Sequence, residues 1–120
     1  MSDRVVTVTA LYSSNSVFIA GNAAWKYHDQ GQDLGTDWRA SGYNDSAWAS
    51  GPAQLGYGEN DEATVVSYGG NTANRYPTTY FRSSFVNSGA ALGSLSLGLL
   101  RDDGAVVYIN GQEVLRDNMP

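Results

Sequence analysis

The chain has 120 residues, the common size of one domain and enough to bury a core. Seven basic residues against twelve acidic ones leave a formal charge of −5, so no positive field exists for a phosphate backbone or an anionic membrane surface, and nucleic acid is not an expected partner. The absence of cysteine removes disulfides and thiolate metal sites; apolar runs such as Val17-Phe18-Ile19-Ala20 and Leu97-Gly98-Leu99-Leu100 fall far short of the ~20 residues that span a bilayer, so no membrane insertion is expected.

Fourteen glycines and eight tyrosines, with a single lysine and hardly any run of helix formers, predict an all-β chain with many turns. Met1-Ser2-Asp3-Arg4 leads into the alternating Val5-Val6-Thr7-Val8-Thr9, which has no continuous apolar region of signal-peptide type. Val5 to Leu11 reads as the first strand, followed by short strands at Val17 to Ala20 and Trp25 to His28 around Gly21-Asn22. From Asp29 to Asn60 periodicity disappears among six glycines and Pro52. A single helical turn is predicted around Asp45 to Trp48, with Asn44 or Asp45 accepting backbone N–H bonds as its cap.

Ala63 to Tyr68 is a further strand candidate, closed by Gly69-Gly70-Asn71. In Thr79 to Val86, Phe81, Ser83 and Phe85 share one face; Leu95, Leu97 and Leu99 repeat the period of two, so these apolar residues are expected in the core. The clearest signal comes last: Ala105 to Ile109 and Gln112 to Arg116 flank Asn110-Gly111, a pair that tolerates the positive φ angles of a type I′ hairpin turn.

Two runs together resemble a known family. The first is Trp25-Lys26-Tyr27, Gly35-Thr36-Asp37-Trp38-Arg39, Asn44-Asp45-Ser46-Ala47-Trp48 and the turn from Gly51 to Gly58; the second is Asp102-Asp103-Gly104 followed by the strand ending in Tyr108-Ile109-Asn110-Gly111. They are similar to galactose-binding-domain-like jelly rolls of secreted bacterial multidomain proteins, often beside metallophosphoesterase-type domains. The resemblance implies an antiparallel β-sandwich, a non-catalytic carbohydrate-binding accessory module, and a secreted or cell-surface location. It also implies that residues 1–120 form one domain and are the N-terminal part of a longer jelly roll, whose inner faces would then be covered by complementary C-terminal strands or by self-association. The alternative is a structural spacer or docking module, or a split-domain fragment, with no glycan ligand.

His28 and Lys26 are the chain's only histidine and lysine, and no nucleophile with a base can be assembled around them, so no catalytic residues are assigned. For ligand binding, aromatic rings in or beside loops can stack on the C–H face of a sugar while polar neighbours bind its hydroxyls. Trp38, Tyr57, Tyr68 and Tyr76 are the candidate rings, with Arg75 and Asn74 as polar partners, whereas Trp25 and Trp48 read as buried anchors. Glu59, Asp61 and Glu62 fall in one acidic loop that either holds calcium through its oxygens or is a solvated turn. Asp102 and Asp103 have the same two readings: in the related protective-antigen-type sugar binders an Asp-Asp pair holds a calcium that ligates sugar hydroxyls, and otherwise the pair caps a β-turn. Asn44 stands where the family's element commonly has Asp, which weakens an ion site at that position. No cofactor other than calcium is implied.

Overall fold

The computed structural model describes residues 5–13, 16–58, 60–71, 73–85, 96–102 and 104–119. They form an all-β molecule, in which β1 (Val5–Ser13) pairs with β2 (Ser16–Ile19) on one side and β8 (Ser96–Asp102) on the other, both antiparallel. A second three-stranded sheet has β3 (Ala24–His28) between β4 (Ala49–Pro52) and β7 (Tyr80–Arg82). The pair β5 (Leu55–Gly56) and β6 (Thr64–Val65) is parallel, and β9 (Ala105–Ile109) with β10 (Gln112–Asp117) closes the chain as a hairpin. Asn110 at φ 51° and Gly111 at φ 82° sit in the turn between them, as the Asn-Gly pair requires.

Two apolar clusters hold these sheets. Leu55 and Val66, 1% and 2% exposed, pack with Ala53 and Tyr57, and are covered by Trp25, Tyr27, Tyr68 and Phe81. Ile19 centres the other, against Phe18, Ala23, Trp25, Phe85, Leu97 and Leu99. Trp25 touches both clusters, so one half-buried indole on β3 ties the first hairpin to the glycine-rich segment. Ala53, Leu55 and Tyr57 turn inward together in and beside β5.

Several expectations are corrected in detail. The helical turn lies at Asp37–Arg39, a 3₁₀ turn closed by the Arg39 N–H to Thr36 and the Ala40 N–H to Asp37, rather than at residues 45–48. There the Trp48 N–H reaches only the Asp45 carbonyl, while Asn44 Oδ1 accepts the Ser46 N–H at 3.1 Å and holds a turn. Trp48 lies outside both buried clusters, half-buried against His28 and Tyr43 at 5.5 and 5.8 Å between ring centroids. Phe81, Phe85, Leu97 and Leu99 do pack against the clusters but are only partly buried; Leu95 lies outside the described residues.

Candidate functional site

A like-charge problem sits at the centre of the second sheet. Lys26 on β3 stands directly opposite Arg82 on β7, a pairing that repels unless an anion spans it. Asp45 does so: one carboxylate oxygen lies 3.2 Å from Lys26 Nζ and the other 2.8 Å from Arg82 Nε. The hydrogen bond from Arg82, seconded by Lys26 and opposed by partial burial, holds the Asp45 carboxyl below the usual carboxylate value. Arg82 also donates to the carbonyls of Trp38 and Ala40, the latter at 3.1 Å. One arginine therefore gathers the loop from Trp38 to Asp45 onto the sheet, and sets where Trp38 sits.

Trp38 stands at a cleft. Its ring meets Tyr80 of β7 at 4.9 Å and Tyr108 of β9 at 5.6 Å, both edge-on, and its Nε1 donates to the Gly35 carbonyl at 3.1 Å. The cavity beside it, about 610 Å³, is lined by residues 77–85 around β7 and 104–110 around β9, with Trp25 and Ile19 from the core and Asp33, Arg39 and Ser41 from the loop. That volume falls within the ~300–1,000 Å³ of small-ligand sites. Among the described residues β7 pairs only with β3, and β9 only with β10, so the cleft is walled by two edge strands. The Arg39 guanidinium lies on the Tyr108 face, 4.3 Å from its centroid.

The sequence-predicted binding residues do not converge on this cleft. Of them only Trp38 lines it. Tyr57, expected as a loop platform, is 6% exposed in the core, and a ring so buried has no face left for a sugar. The Arg75 guanidinium lies over the rings of Tyr57 and Tyr68, at 5.5 and 5.4 Å, and covers the core edge. Tyr76 fills the space between two glycine backbones: a Cβ on Gly31 or Gly69 would come within 2.5 or 2.8 Å of its ring, and both glycines have positive φ. These residues pin the segment from Ser67 to Tyr76, where the Tyr76 N–H also bonds the Tyr68 carbonyl at 3.0 Å. The residues that do line the cleft with Trp38, namely Tyr80, Tyr108 and Arg39, sit at positions where the sequence showed only strand or loop.

Of the acidic candidates, Asp61 is exposed and its Oδ1 accepts a 3.4 Å bond from Gln54, and Glu62 is half-buried. Asp102 is the last residue of β8, opposite Val5; Glu59 and Asp103 lie outside the described residues. Among the described residues no three His, Cys, Asp or Glu side chains group as a metal site would require. His28 lies partly buried between the rings of Trp48 and Tyr80. The chain matches no protein-family model, no curated protein and no solved structure.

Proposed function

We propose that the chain is a non-catalytic binding module, a jelly roll of galactose-binding-like type from a secreted or cell-surface bacterial protein, whose cleft between β7 and β9 takes a glycan. One observation carries this reading: a cavity of about 610 Å³ lined by Trp38, Tyr80 and Tyr108 with Arg39 at its edge. Aromatic rings suit the C–H faces of a pyranose, and a guanidinium with free strand edges suits its hydroxyls. His28 is engaged in ring contacts with Trp48 and Tyr80, which favours binding over catalysis. Titration with bacterial and algal polysaccharides, followed by tryptophan fluorescence with calcium and with chelator, tests the reading. Binding that disappears on combined replacement of Trp38 and Tyr108 by Ala supports it; binding to none of the polysaccharides, or binding that survives both replacements, contradicts it.

A second reading is favoured by the two edge strands that wall the same cleft. Trp38 separates Tyr80 from Tyr108 by two ring contacts in series. An extended segment, supplied by a second copy or by a complementary strand, would pair with both edges and complete a docking module. Light scattering coupled to size-exclusion chromatography separates the two: a concentration-dependent dimer favours the strand, and a monomer throughout favours the glycan.

A further inference from the structure

We infer that the sugar taken by the cleft carries a carboxylate, and that Arg39 is the residue that reads it; the inference rests on the glycan reading above. The cleft differs from the rest of the chain in charge. The sequence holds twelve acidic residues against seven basic ones, yet the cleft lining includes Arg39 and Arg82 with Asp33 as its acid. Arg82 is fully engaged by Asp45 and by the carbonyls of Trp38 and Ala40, and Asp33 Oδ1 accepts the Gly35 N–H at 2.9 Å within its own turn. Arg39 is not engaged in this way.

Among the described residues the Arg39 guanidinium makes no hydrogen bond and no ion pair, and its Nε is buried without an acceptor. Glu113, whose titration feels the Arg39 charge, is itself hydrogen-bonded to Arg116 at 2.6 and 3.1 Å. A guanidinium N–H removed from water and left without an acceptor is costly, and Arg39 holds its Nε at the wall of an open cleft, where a ligand can supply the acceptor. Trp25 repeats the signal: its Nε1 is buried without an acceptor among the described residues, and the same ring lines the cleft.

Stacking on Tyr108 holds the Arg39 plane in place, so its paired N–H groups are preorganised for a planar, two-oxygen acceptor. A neutral sugar offers hydroxyls of no fixed plane. A uronic acid offers a carboxylate for Arg39 and, on the same ring, an apolar face for Trp38, which places uronate-containing oligosaccharides as the ligand class.

The test is calorimetric titration of the full chain with oligomers of galacturonate, guluronate and glucuronate, each beside its counterpart with carboxyls reduced to alcohols, and with dextran sulfate as a charged control. At least one uronate should bind roughly tenfold to hundredfold more tightly than its reduced counterpart, the span of a charge-assisted bond. Arg39→Met should abolish that preference, Arg39→Lys should keep part of it, and both variants should stay folded. Equal binding of native and reduced oligomers overturns the carboxylate while leaving the glycan reading in place. Dextran sulfate binding as tightly as the uronates also overturns it, since charge alone would then suffice. Binding of neither form of any oligomer overturns both the inference and the reading beneath it. If Arg39→Met fails to fold, the native-against-reduced comparison on the unaltered chain still decides.

Discussion

Two clusters in this molecule are built from the same parts and differ in what they face. Tyr57, Tyr68 and Arg75 form one, and Tyr108, Tyr80, Trp38 and Arg39 the other; each sets a guanidinium against a tyrosine ring. The first packs over Leu55 and Val66. The second opens on a cleft of about 610 Å³, with a guanidinium Nε that lacks an acceptor among the described residues. An aromatic ring beside an arginine is therefore no mark of a site in itself. Whether the rings close over the core or line an open cavity separates an anchor from a platform.

The largest effect that can break this comparison lies on the closed side. Trp25→Ala should cost about 3–5 kcal/mol and Leu55→Ala about 2–5 kcal/mol in denaturant unfolding, because each removes a large side chain from packed surroundings. Loss of less than a kilocalorie in both would mean that the cluster is not the core. The Asp45 clamp comes next. Asp45→Ala should cost about 1–3 kcal/mol, since Lys26 and Arg82 would then face each other without their anion. Because its carboxyl titrates below the ordinary value near 3.8 in the folded protein, the stabilisation is complete above that value and is lost as pH falls through the lower, folded one. Acid unfolding of the parent should steepen in that range, and the Ala variant should lack this component. Trp48→Ala should cost about 1–2 kcal/mol, the worth of its ring contacts with His28 and Tyr43, and clearly less than Trp25→Ala. Equal losses at the two tryptophans would erase the distinction between core and rim.

The sequence carried the parts that depend on neighbours in the chain. Asn110-Gly111 with alternating flanks marked the hairpin, and short β-branched or aromatic runs marked β1, β2 and β3 within one or two residues. Elements made by distant pairing left no such mark. β5 and β6 are two residues each, too short for any periodicity, and exist because Leu55 and Gly56 meet Thr64 and Val65 in parallel. The 64–65 strand is accordingly shorter than the 63–68 run that looked extended. Aromatic content in the glycine-rich region pointed to Trp38, which lines the cleft, and equally to Tyr57, which is buried, since residue type is blind to which ring is covered. Tyr80, Tyr108 and Arg39 come from three separate segments, and only the fold brings them together. The opposition of Lys26 and Arg82, which needs an acid between them, was likewise visible only once β3 and β7 were paired.

The most direct test measures stability and uronate binding side by side in Arg39→Met and Arg75→Met, where the aliphatic stem is kept and only the guanidinium is lost. Removing Arg75 should lower stability by about 1 kcal/mol through its contacts with Tyr57 and Tyr68 and leave binding unchanged. Removing Arg39 should abolish the preference for the carboxylate, at a stability cost of about 1 kcal/mol or less from its lost contact with Tyr108. Binding lost with Arg75 and retained with Arg39, or both properties falling together in both variants, would contradict the division between a closed cluster that holds the fold and an open one that binds.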